Sequence, residues 1–133
     1  MRLNPDRELA WGGSFQWLPD GSGFLVALRA PNWAAEARAA FEALQYGPIV
    51  VQDASEPFLA WEAVSNRRNL MEYALVQLDD GEVQVLLEEG DYSGIMVAED
   101  GSHITYTVNN RMETSYIRRG GTEYSLNLLA LDE

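Results

Sequence analysis

The sequence predicts an α+β fold dominated by antiparallel sheet. It comprises an N-terminal β-hairpin, one amphipathic helix over about 33–46, a short second helix over about 56–66, and an antiparallel β-meander over about 71–131. Three observations carry this expectation. After Met71 the chain becomes a succession of short alternating segments separated by turn residues, the sequence form of a meander. Trp33, Ala37, Ala40, Phe41 and Leu44 recur at helical spacing and form one apolar stripe. Ahead of both, Leu9, Trp11, Gly13, Phe15 and Trp17 alternate with smaller or polar residues, and the dense turn sequence Pro19-Asp20-Gly21-Ser22-Gly23 follows.

Residues 1–7 read as a polar lead-in. The period-two run from Leu9 to Trp17 predicts a strand with its large residues on the core face, and Gly12-Gly13 predicts a bulge or bend within it. Phe24 to Arg29 returns as the second strand of the hairpin. Pro31 stops it, and Asn32 is suited to cap the helix that carries the Trp33 stripe, with Gly47 and Pro48 closing that helix. Ile49-Val50-Val51 is short and β-branched, as a strand would be. Ser55-Glu56-Pro57 resembles a helix start with proline in the first turn, and Phe58, Trp61 and Val64 would face inward from it.

The meander divides into pairs. Segments 71–78 and 82–87 flank Asp79-Asp80-Gly81, where Asp-Gly favours a hairpin turn. Segments 94–98 and 103–108 flank Glu99-Asp100-Gly101-Ser102; segments 112–118 and 123–131 flank Arg119-Gly120-Gly121-Thr122, with Asn109-Asn110 as a joint. Ile104, Tyr106 and Val108, with Tyr124, Leu126 and Leu128, are expected to face the core. Thr105, Thr107, Ser125 and Asn127 then belong to a solvated side.

A chain of 133 residues is expected to form a single globular domain, 1–133. Its hydrophobic content of 47% argues against disorder despite a formal charge of −12. There is no cysteine, which excludes a disulfide framework, a thiolate metal site and a cysteine nucleophile. All nine basic residues are arginine, so a Walker A loop or a Schiff-base lysine is impossible. The leading residues contain no apolar signal stretch and no run long enough to span a membrane, so a cytoplasmic protein without membrane contact is expected.

Candidate chemistries fail one by one. His103 is the lone histidine, no G-x-S-x-G elbow is present, and His103 beside a turn reads as a plain surface residue. One histidine without cysteine does not make a common zinc site, and the acidic clusters lack calcium-loop spacing. Gly21-Ser22-Gly23 is followed by a strand, whereas a dinucleotide fingerprint requires a helix. The 21 acids offer too many pairs for sequence to select a glycosidase couple. Direct nucleic-acid binding is disfavoured by the sign of the charge. No catalytic residue, metal or cofactor is expected.

The charge is unevenly distributed. From Asn69 to Asn110 there is no arginine or lysine and there are nine acids. Eight of these, Asp79, Asp80, Glu82, Glu88, Glu89, Asp91, Glu99 and Asp100, are expected to form an anionic rim on hairpin tips. The leading functional expectation is a small non-enzymatic binding protein of the inhibitor, immunity-protein or antitoxin type. Its rim would dock on a basic partner such as a toxin, nuclease or other nucleic-acid-binding protein. The bland reading of the same acids is solubility alone. Two further classes are a small-molecule-binding or hydrolytic domain with a pocket between sheet and helix, and a secretion chaperone or assembly component with an exposed apolar edge.

Overall fold

The computed structural model describes residues 7–10, 15–48, 54, 61–112, 114 and 117–131. Its elements are β1 (Phe15–Trp17), β2 (Gly23–Leu28), α1 (Trp33–Tyr46), α2 (Trp61–Arg67), β3 (Leu70–Gln77), β4 (Val83–Val97), β5 (His103–Met112) and β6 (Gly121–Ala130). The six strands form one antiparallel, curled sheet in the order β1-β2-β3-β4-β5-β6, so the N-terminal hairpin is continuous with the meander. The expected strand at 49–51, the Gly12-Gly13 bulge and the start of the second helix at 55–57 lie outside the described residues.

Three hairpin turns are built alike. In each, an aspartate Oδ1 accepts the backbone N–H two residues on: Asp20 from Ser22 at 2.9 Å, Asp80 from Glu82 at 2.8 Å and Asp100 from Ser102 at 3.0 Å. The glycine between them takes φ of 73–74° in all three turns, a region that side chains with a Cβ rarely adopt.

The meander has fewer strands than the sequence suggested. The segments expected at 82–87 and 94–98 are one strand, β4, running through Glu88-Glu89-Gly90-Asp91 without a turn. Its first part pairs with β3 and its second part with β5. Register shifts around Tyr73 and between Ser93 and Met96, with Gly94 at φ 60°, bend the strand so that it belongs to both halves of the sheet. β5 likewise continues through the expected Asn109-Asn110 joint to Met112, and none of the described residues between Met112 and Gly121 is in a strand.

The curl encloses the main core. Leu25 and Ala27 of β2, with Met71, Tyr73 and Leu75 of β3, meet Leu87, Ile95 and Ile104. The opposite face of the same two strands carries a smaller cluster, Phe24, Val26, Leu28, Ala74 and Val76. Every residue of β2 is therefore buried. Phe15 and Trp17 place their rings 4.8 and 5.3 Å from Phe24 on that second face and remain about half exposed, so they do not point into the main core as the alternation suggested. The main-core side of the N-terminal segment is carried by Ala10 and Gln16.

Gln16 completes the curl. Its amide donates to the Ile95 carbonyl, and its Oε1 accepts the Val97 N–H at 3.0 Å, joining β1 to the far half of β4 by side chain in place of backbone.

Helix α1 holds no fully buried residue; Trp33, Ala37, Ala40 and Leu44 are half-buried and Phe41 is exposed. Its N-terminus is anchored by Trp33, whose indole N–H donates to the Arg67 carbonyl at 2.8 Å, and by a Glu36–Arg67 ion pair at 3.1 Å. Asn32 occupies the cap position without a side-chain capping bond.

Candidate functional site

The sheet's curl decides which acids meet. Turn 18–22 touches turn 78–82 through the Leu78 N–H, which donates to the Ser22 carbonyl at 2.9 Å. On its other side a Cβ built on Gly101 would lie 3.6 Å from Pro19 Cδ, in ordinary contact, so turn 98–102 abuts the same loop. The β1–β2 turn thus bridges two turns that are 20 residues apart in sequence, and one end of the sheet carries Asp20, Asp79, Asp80, Glu82, Glu99 and Asp100, all exposed.

The eight residues expected as one rim divide accordingly. Asp79, Asp80, Glu82, Glu99 and Asp100 are at this end. Glu88 and Glu89 are exposed but lie within β4 beside the opposite end of β3, where Met71 pairs with Gly90. Asp91 is withdrawn from solvent and engaged: Arg111 Nε donates to it, as does Asn109 Nδ2 at 2.9 Å. Asp20 was not among the expected residues. Its signal was present in sequence, since Asp20-Gly21-Ser22 repeats Asp100-Gly101-Ser102.

Two carboxylates at this end, Asp20 and Asp100, are held charged by their own turns. The Ser22 backbone N–H, then its hydroxyl, lowers the Asp20 pKa below its ordinary value. At Asp100 the Ser102 hydroxyl contributes most, followed by the Ser102 N–H. Asp20, Asp80 and Asp100 therefore serve the turns as well as the surface field. Ser102 Oγ also lies 2.6 Å from both Asp100 Oδ1 and His103 Nδ1. Here the hydroxyl stands between carboxylate and imidazole, whereas nucleophilic catalysis needs the imidazole in the middle. The three adjacent residues form a turn staple.

A second polar region lies where α2 ends against β4 and β5. Two adjoining clefts of about 500 and 580 Å³ share Asp91, Asn109 and Arg111. Neither of these two clefts is lined by a residue of α1. Tyr73 is buried in the core, Tyr124 is exposed on β6, and neither lines these clefts. Among the described residues, no group of three or more His, Cys, Asp or Glu is placed to hold a metal ion, and no helix is long and apolar enough to cross a membrane.

The outer face of the far half-sheet corrects another expectation. Tyr124, Leu126 and Leu128 pair directly with Asn109, Thr107 and Thr105, so they share the solvent side of β5 and are 71%, 77% and 64% exposed. Ile104, by contrast, is fully buried opposite Leu129.

No protein-family model, curated protein or solved structure matches this chain.

Proposed function

We propose that this chain is a non-enzymatic binding protein that docks its anionic turn end on a basic surface of a partner protein. Such a protein acts as an inhibitor, in the manner of an immunity protein or antitoxin that covers a toxin, nuclease or other nucleic-acid-binding protein. The observation supporting this is the gathering of three Asp-Gly turns, which puts six exposed acids at one end with no arginine in those turns. Opposed charge of this kind accelerates encounter and excludes wrong partners more than it adds affinity.

The test compares two variants with a cationic partner recovered from native lysate. One changes Asp79, Asp80, Glu82, Glu99 and Asp100 to Asn or Gln. The control changes Glu42, Glu88, Glu89 and Glu123, exposed acids elsewhere on the chain. The turn-end variant is expected to associate more slowly at low salt, with the difference shrinking as the Debye length falls below about 10 Å. Equal slowing by both variants means that net charge alone acts; no slowing by the turn-end set removes it from the interface.

One observation favours a second reading as an assembly component: the row Tyr124, Leu126 and Leu128 is exposed on an edge strand that pairs with β5 over its whole length without a bulge. Concentration-dependent self-association, abolished by Leu126→Ser, supports that reading, and a monomer at all concentrations rejects self-assembly through this edge.

A further inference from the structure

In a chain of net charge −12, the clefts below α2 gather arginine. Arg29, Arg68 and Arg111 line the larger cleft with one carboxylate, Asp91, leaving two positive charges in excess. Arg29 is the unusual member. It is 6% exposed, yet it has no ion-pair partner among the described residues. Its NH1 donates to the carbonyls of Arg68 at 2.8 Å and Leu70 at 2.6 Å, and its guanidinium lies 4.1 Å from the Trp33 ring centroid. Carbonyl dipoles and an aromatic face ease a buried cation, and Glu8 and Glu89 act on it without a direct ion pair. Burial, the largest influence, lowers its pKa, against an opposing contribution from Glu8 and Glu89.

The other two arginines have donors to spare. Arg68 is exposed and its side chain has no ion-pair partner among the described residues. Arg111 uses Nε on Asp91, which fixes the orientation of its guanidinium. Asn69 adds a neutral amide donor to the same wall, where the Ser93 hydroxyl donates to Asn109 Oδ1 at 3.0 Å.

We infer that this cleft is a binding site for a phosphate monoester, with the phosphate among Arg29, Arg68 and Arg111 and the organic part along the adjoining cleft beside Asn66 and Val108. A dianion matches the two excess charges, and guanidinium forks pair with phosphate oxygens in bidentate fashion. The combined space is of the size that takes a small metabolite. The site is chemically distinct from the anionic turn end and does not depend on that reading.

Calorimetric titration of the whole chain with phenyl phosphate, inorganic phosphate and benzoate, at ionic strength held constant with chloride, tests this. A net charge of −12 disfavours diffuse anion binding, so saturable binding reports a local site. Phenyl phosphate is expected to bind at one site and more tightly than benzoate. Arg68→Gln, an exposed change, is expected to weaken it roughly tenfold or more, as loss of a charged hydrogen bond does. Arg38→Gln on the exposed side of α1 is expected to leave it unchanged. Absence of saturable binding by both phosphates, equal affinity for benzoate, or equal loss in Arg38→Gln and Arg68→Gln overturns the inference. Arg68→Gln is the deciding variant because it does not disturb the Arg111–Asp91 pair.

Discussion

Replacing Gln16 by alanine should destabilise this protein far more than a half-exposed strand residue ordinarily does. The side chain closes the curled sheet by bonding the Ile95 carbonyl and the Val97 N–H. Each bond contributes about 0.5–1.5 kcal/mol net, so losing both costs about 1–3 kcal/mol. An exposed change such as Gln84→Ala on β4 should stay within about 0.5 kcal/mol. In urea, with a slope of about 1–3 kcal/mol/M, the Gln16→Ala midpoint should fall by roughly 1 M while that of Gln84→Ala barely moves. Gln16→Glu refines the test. At neutral pH it keeps an acceptor for Val97 but sets a carboxylate against the Ile95 carbonyl. The neutral acid is the form this site favours, which raises the folded pKa, so the deficit should shrink as pH falls from that raised value towards the ordinary glutamate value of about 4.3 and stay constant below it. Coincident midpoints for Gln16→Ala and Gln84→Ala would refute the closure.

Two further outcomes follow from the turns and the bend. Asp20 and Asp100 should titrate below 3.8 by carboxyl NMR, and Ser22→Ala and Ser102→Ala should move the respective midpoints back up. Because the folded pKa values are depressed, the stability that these groups contribute is present above the unfolded value and is lost as pH falls through the folded ones. Gly94→Ala should cost about 1–2 kcal/mol through its left-handed backbone. Its Cβ would make only ordinary contact, 3.6 Å from Thr107 Oγ1, so a neutral result would show that β4 does not need glycine to bend.

Sequence by itself determined what depends on neighbours along the chain. The Asp-Gly turns, the alternation of β5, the continuous apolar run of β2 and the extent of α1 are local properties of backbone and side-chain pattern. Period two says which residues share a face, but it does not say which face meets the core. Phe15, Trp17, Tyr124, Leu126 and Leu128 consequently lie on faces other than the expected one, and Ala10 and Gln16 take the interior side. Glu88-Glu89-Gly90-Asp91 resembles a turn in composition, yet pairing with β3 keeps it extended. The tertiary structure alone decided which charges meet. Curling the sheet brings Asp20 into the acidic end, removes Glu88 and Glu89 from it, and turns Asp91 inward towards Arg111. Arg29, Arg68 and Arg111 converge for the same reason: their separation in sequence carries no information about distance once the strands beside them share one curved surface.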